Sequence, residues 1–327
     1  MDRRRLLQLA GAVFAAGGFS ASLFAAGEEK PRDLTLIVPF PPGGGGDILA
    51  RAVSLPLAEF AGRHQITLNR PGAGGNIGTA QVVKAAPGSG TVGYVTNGIL
   101  CVNPHLYERR AFDPLTDLKP VAGLTVIGLV LAVNPKVMPD VRTVSDLVRH
   151  AAARPGETAF ASAGAGTTSH LAGSLFEAEA GLELNHIPHA GGAAAVNEVL
   201  AGRIPFLIDV MPNLLPHIRS GALRAIAVTN PARSALLPGV PTMTESGFPG
   251  VSLCAWDGLA APAGFPDEEA EALARAAEQA LARPALRERL LRLGAEPQFR
   301  APADFRRFIA EEALKWKPLA LKARAQR

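Results

Sequence analysis

Cysteine is nearly absent: Cys101 and Cys254 are the two in 327 residues. No cysteine lies near the N-terminal leader described below, so a lipid anchor at that junction is excluded. In an oxidising compartment the pair could close a long loop, a link worth roughly 2 to 4 kcal/mol, or stay as two free thiols; spacing alone leaves both open. Charge of one sign is scarce as well. The net charge is +4, of which Asp2 with Arg3, Arg4 and Arg5 supplies two units, leaving +2 with Lys and Arg scattered along the chain. Nucleic acid is therefore not an expected partner.

Several catalytic and nucleotide signatures are missing. Gly46 is followed by Asp47 and Ile48, where a phosphate-binding Walker loop needs Lys and then Ser or Thr. A dinucleotide fingerprint started at Gly43 and Gly45 would need a third Gly where Ile48 stands. His186 and His189 are three apart across Pro188, without an acidic residue or Cys at ligand spacing, so neither a metal site nor a cofactor is expected. Ser162 lacks the first Gly of a nucleophile elbow, and His170 on the following segment has no evident acidic orienter. The expectation is a protein that is not an enzyme, with a secreted hydrolase using Ser162 and His170 as the rival.

Among what is present, residues 6–26 form an uncharged run of about 21 residues behind three arginines, long enough to span a bilayer if retained. Small residues near Ser22 and Ala26 suit cleavage near residue 26, so 1–26 reads as an export signal. Arg3-Arg4-Arg5-Leu6-Leu7-Gln8 resembles a twin-arginine leader, and a general secretory route is equally open.

The stretch Leu34-Thr-Leu-Ile-Val-Pro-Phe-Pro-Pro-Gly-Gly-Gly-Gly-Asp47 reads as strand, Gly-rich loop and helix start. Backbone amides in such a loop, together with the positive end of the helix dipole, can hold an anion. Asp47 would repel a phosphate but can cap the helix, with Arg51 as its i,i+4 partner, so a small carboxylate suits the loop better. A ligand-free turn is the alternative for one such loop. Similar strand, Gly loop and helix units recur at residues 65–86 and 158–180, the last ended by Gly181, and the loops near 43 and 163 suggest two half-sites facing one cleft. His189, beside Ala190-Gly191-Gly192, is a candidate donor in that cleft, and Asp209 a candidate for specificity or a buried cap.

Alternation of β-like and helical segments predicts an α/β fold, and 48% hydrophobic content over this length favours two lobes. Apolar runs at 124–133 and 251–261 are candidate crossovers, giving lobe 1 as 31–128 plus 257–327 and lobe 2 as 129–256. Pro266, Pro284 and Pro302 each start a C-terminal helix, the last expected to kink at Pro318.

Five motifs in order resemble one family: Ile37-Val-Pro-Phe-Pro-Pro-Gly-Gly-Gly-Gly-Asp47, Asn69-Arg-Pro-Gly-Ala-Gly-Gly-Asn-Ile-Gly78, Ser162-Ala-Gly-Ala-Gly-Thr-Thr-Ser-His-Leu171, Leu237-Pro-Gly-Val-Pro-Thr-Met-Thr-Glu245 and Trp256-Asp-Gly-Leu-Ala-Ala-Pro-Ala-Gly264. Over residues 33–323 the chain resembles the Bug family of periplasmic solute-binding proteins, which serve tripartite tricarboxylate transporters. The resemblance implies a two-lobed, type II-like periplasmic binding protein, each lobe a mixed sheet flanked by helices. It would capture a small carboxylate as a monomer and deliver it to the large and small membrane subunits of a permease. A ligand-loaded receptor for a membrane sensor kinase is the alternative role. The expected ligand-binding set is Phe40, Pro41, Gly43, Gly44, Gly45, Gly46 and Asp47 from the first loop, Gly75 and Asn97 beside it, Ser162, Gly166, Thr167 and Thr168 from the second loop, and His189 and Asp209. The chain departs from the family at Gly46, where Thr or Ser is common, at Pro188-His189-Ala190-Gly191, where Pro-Tyr-Arg-Gly is common, and at Pro87-Gly88-Ser89-Gly90, where Pro-Asp-Gly-Tyr is usual.

Overall fold

A computed structural model of the chain describes residues 33–108 and 111–325, and the export signal expected at 1–26 lies outside them. Strands β1 (Leu34–Val38), β2 (Gln65–Asn69) and β3 (Thr91–Thr96) alternate with helices α1 (Gly45–Ala61) and α2 (Asn76–Val83), and a short α3 (Asn103–Leu106) precedes β4 (Leu118–Val133). Next come α4 (Val144–Ala152), β5 (Ala159–Ser162), α5 (Thr168–Ala180), β6 (Asn185–Pro188), α6 (Gly192–Leu200), β7 (Phe206–Val210), α7 (Met211–Arg219) and β8 (Arg224–Val228). The chain then runs through β9 (Cys254–Pro262), α8 (Asp267–Ala282), α9 (Pro284–Arg292), β10 (Ala295–Arg300) and α10 (Pro302–Ala325).

The strands form a mixed sheet in the order β2-β1-β3-β9-β4-β7-β5-β6, with β10 and β8 also on β4. β1 pairs parallel with β2 and β3, and β5 pairs parallel with β6 and β7, so each flank is built of strand-helix-strand units. β4 joins the flanks. Its first part pairs antiparallel with β9 and β10, from Leu118 opposite Pro262 to Gly128 opposite Cys254, and its last five residues pair with β7 and β8. Neighbours on both edges and helices over the faces explain why β4 reads as a nearly unbroken apolar run, with Leu129 to Val133 fully buried.

Local rules account for most helix ends. Gly62 and Gly181 close α1 and α5 in the left-handed region, at φ 63° and 62°. Thr143 caps α4 in a reciprocal capping box with Asp146. One expectation is corrected. α2 stops at Val83 instead of reaching residue 86, because Pro87 disfavours helical backbone before it and Ala85 N–H already turns back to Val82. α10 runs from Pro302 to Ala325 with Pro318 inside it, and the carbonyl that loses its donor belongs to Leu314, which is 76% exposed. Cys101 and Cys254 are both free thiols, the first buried and the second half-buried. No helix among the described residues is long and apolar enough to cross a membrane.

Candidate functional site

Three helix N-termini meet at one cavity of about 320 Å³. Gly44 to Gly46 bring α1, Thr167 to Ser169 bring α5, and Gly191 to Ala194 bring α6. The first bonds inside these helices are Ile48 N–H to Gly44, Leu171 N–H to Thr167 and Ala195 N–H to Gly191. Helix geometry therefore leaves the amides of Gly46, Asp47, Thr168, Ser169, Gly192, Ala193 and Ala194 without carbonyl partners in their own helices. Each terminus also carries the positive end of its dipole. Close approach at α6 depends on Gly191, whose φ of 119° and contact with the Pro41 ring leave no room for a side chain.

No Lys, Arg or His is among the described lining residues, and Asp209 is the one carboxylate there. Asp209 is the last residue but one of β7 and is 2% exposed. Its Oδ1 accepts from Val210 N–H at 2.8 Å, and its Oδ2 from Asn213 Nδ2 at 2.8 Å. Burial pushes its carboxyl up to about 6, against the pull of those two donors. Asn213 is also a bridge: its Oδ1 accepts Gly45 N–H at 2.6 Å, linking α7 to the start of α1. Two further bonds join the flanks nearby, Thr168 Oγ1 to Asn97 Oδ1 at 3.0 Å and Tyr107 hydroxyl to the Ala165 carbonyl at 2.9 Å. Asn97 is fully buried, and its Nδ2 has no protein partner. A donor held this way at a cavity wall is ready for a ligand acceptor.

Most of the remaining wall is apolar, with Phe40, Leu49, Tyr94, Ile127, Val210 and Trp256, and Thr96 and Asn197 add polar side chains. The polar ends of the two larger aromatics are engaged elsewhere. Trp256 Nε1 donates to Glu312 Oε2 at 2.9 Å, and the Tyr94 hydroxyl donates to Asp257 Oδ2. Burial pushes Asp257 up to about 6, and burial together with Asp257 holds the Tyr94 phenol well above its usual range. The cavity thus offers amide donors at several points and ring or alkyl surface between them, which suits an anion with an apolar body.

Of the residues expected from the sequence, Phe40, Pro41, Gly44, Gly45, Gly46, Asn97, Thr167, Thr168 and Asp209 line this cavity. Gly43, Asp47, Gly75, Ser162, Gly166 and His189 lie outside its lining. Asp47 turns away: Oδ2 accepts Gly43 N–H at 3.0 Å, while Oδ1 accepts from Arg51 Nε at 2.8 Å and Asn69 Nδ2 at 2.7 Å. That network braces the Gly loop from behind and does not occupy the amides of Gly46 and Asp47. Gly166, at φ 86°, donates its N–H to His170 Nδ1, and a side chain there would strike Asn103. His189 donates from Nδ1 to the Ile187 carbonyl at 3.0 Å, and its neighbours Ala190 and Gly191 face the cavity in its place. Ser162 is fully buried and meets His186 Nε2 at 2.7 Å instead of His170, which stacks on His186.

Asn213, Ala193, Ala194, Tyr94 and Trp256 were not singled out from the sequence as lining residues. For α6 a signal existed, since Gly191-Gly192 between a strand and a helix repeats the pattern of the other two loops. For Asn213 there was none, because its partner Gly45 is 168 residues away.

Residues 49–324 match the model of the tripartite tricarboxylate transporter family receptor. The chain is 37% identical to Protein BugT of Bordetella pertussis over 317 residues, 97% of this chain and 96% of that protein. Among solved structures it superposes on R. palustris Rpa4515 with adipate at a TM-score of 0.85 and 33% identity, covering 89% of this chain and 97% of that one. MatC of Rhodopseudomonas palustris with bound malate gives 0.83 and 29%, covering 88% and 99%. An α/β periplasmic-binding-protein fold, the family match and a cavity built from helix N-termini agree, and the chain belongs to the tripartite tricarboxylate transporter receptor family of Bug-type solute-binding proteins.

Proposed function

We propose that the protein captures a small carboxylate outside the cytoplasm and delivers it to a tripartite tricarboxylate-type permease. The observation that carries this reading is the meeting of three helix N-termini, each with first-turn amides that have no carbonyl partner in their own helix, at a cavity with no cationic side chain in its described lining. Neutral dipoles bind an anion reversibly, which suits capture and release. One carboxylate would rest on the amides of Gly46 and Asp47 with those at the start of α6, and a second polar end on Asn97 Nδ2 with the amides of Thr168 and Ser169. Charge-assisted hydrogen bonds contribute about 1.5 to 3 kcal/mol each. Three or four of them, less ordering and closure, are compatible with micromolar affinity, which needs about 8 kcal/mol.

Closure is read as a motion of lobe 1 (31–128 with 257–327) against lobe 2 (129–256) about β4 and β9. The Gly45–Asn213, Asn97–Thr168 and Tyr107–Ala165 bonds would be the contacts made on closing. The adipate and malate in the two similar structures support a carboxylate for this chain.

The test is a thermal-shift screen of the protein from about residue 27, after unfolding and refolding to strip bound solute, against adipate, succinate, malate, benzoate, citrate and glutamate. Ligand at 100 times its Kd stabilises a fold by about 2.7 kcal/mol, enough to move the midpoint by degrees. A response from one carboxylate class is expected. Responses confined to uncharged solutes would overturn the reading.

A further inference from the structure

The cavity contains a contradiction that constrains its ligand. It is built to attract an anion, yet its one ionisable carboxyl, Asp209, stands at the α6 terminus. A methyl group placed on Gly192 would lie 2.8 Å from Asp209 Oδ2, so that oxygen occupies the space beside the first amide of α6. A ligand carboxylate resting on α6 must come close to it, and two carboxylates sharing one site cannot both stay ionised. No described Lys, Arg or His in the lining could neutralise either one.

We propose that Asp209 takes up a proton from solvent as a carboxylate enters and keeps it, its neutral carboxyl donating a hydrogen bond to a ligand oxygen, making it the residue that selects carboxylates by proton-linked capture. The proposal rests on the carboxylate reading above. It predicts binding that strengthens in acid, and a preference for ligands that offer an acceptor at this point over ligands that place an ammonium group there.

The surroundings support a neutral carboxyl. Opposite Asp209 on β4 is Val130, and β5 carries no ionisable side chain. On α5, His170 Nδ1 accepts Gly166 N–H and its ring stacks on His186, while Glu177 accepts Leu184 N–H and Glu179 accepts Gly250 N–H. On α6, Glu198 is held by Arg203. On α7, His217 and Arg219 lie in the last turn, away from the end that carries Asn213. On α1, Asp47 is engaged by Arg51 and Asn69, and Glu59 by Arg283. Asp209 therefore titrates against burial, the Val210 amide and Asn213, and starts from about 6 in the empty site.

Calorimetry with adipate, which has no polar group besides its carboxylates, tests this between pH 6 and pH 8, where ligand carboxylates stay ionised. With a free-site value of about 6, affinity should fall about fifty-fold across that range, and binding at pH 7 should take up about 0.9 proton per ligand, read from buffers of different ionisation enthalpy. Asp209→Asn should flatten the profile. Wild-type proton uptake decides the matter should that variant not fold. Affinity that is level or rises with pH, uptake near zero, or a full slope retained in Asp209→Asn overturns the inference and leaves carboxylate capture standing. Absence of binding by adipate, succinate, malate, benzoate, citrate and glutamate at every pH overturns both.

Discussion

Gly192→Ala sets two physical effects against each other at one atom. Gly192 is the first residue of α6 and does not occupy the left-handed region, so helix propensity alone predicts that Ala there stabilises, by up to about 1 kcal/mol. The added methyl, however, would lie 2.0 Å from Asn213 Nδ2 and 2.8 Å from Asp209 Oδ2. Asn213 has to move, and both of its bonds go with it: the donation to the buried Asp209 carboxylate, worth about 1.5 to 3 kcal/mol, and the acceptance of Gly45 N–H, worth about 0.5 to 1.5. Set against the propensity gain, the net destabilisation is about 1 to 3.5 kcal/mol. At about 2 to 4 °C per kcal/mol for a chain of this size, Tm falls by about 2 to 14 °C. Thermal unfolding followed by circular dichroism on the ligand-stripped protein measures it. A double-mutant cycle identifies the cause: if the clash is with Asn213, Gly192→Ala added to Asn213→Ala costs less than it does alone. An unchanged or raised Tm in the single variant, or strict additivity in the cycle, would refute the reasoning.

Three other outcomes are expected. Asn97→Ala removes the unpartnered Nδ2 donor, and carboxylate affinity should drop about ten- to a hundred-fold by calorimetry, in line with one lost charge-assisted bond; an unchanged affinity would take Asn97 out of the site. Asp257 is fully buried with its carboxyl raised to about 6. The folded state therefore holds its proton longer than the unfolded chain, and the associated stability is complete below about 3.8 and is lost as pH rises through about 6. The difference in urea unfolding free energy between wild type and Asp257→Asn should change by up to about 3 kcal/mol over that window and level off above it. Glu312 Oε2 accepts from both Trp256 Nε1 and Trp316 Nε1, at 2.9 and 2.8 Å. Glu312→Leu strands two buried indole donors and should cost about 2 to 4 kcal/mol with a shift in tryptophan emission; an emission spectrum identical to wild type would contradict that pairing.

Local chemistry made part of this molecule legible in one dimension. The strand, Gly loop and helix units at residues 34–61 and 159–180 are readable because glycine, proline and cap preferences act within a few residues. The apolar run of β4 announces burial for the same reason. The expectation of an anionic ligand came from those loops, since the amides at a helix start are donors whatever surrounds them. Where side chains point is another matter. Asp47 braces its loop through Asn69, 22 residues away, and Ser162 turns inward to His186, 24 residues away. No local pattern encodes such partners. That three helix starts converge at all, that Asn213 ties α7 to α1 across 168 residues, and that Asp209 is buried deeply enough to shift its carboxyl are consequences of β4 pairing on both edges and carrying both flanks. Sequence determines which backbone groups are left without partners; only the packed sheet decides that they share one cavity, because desolvation and long-range register exist only once the chain has folded.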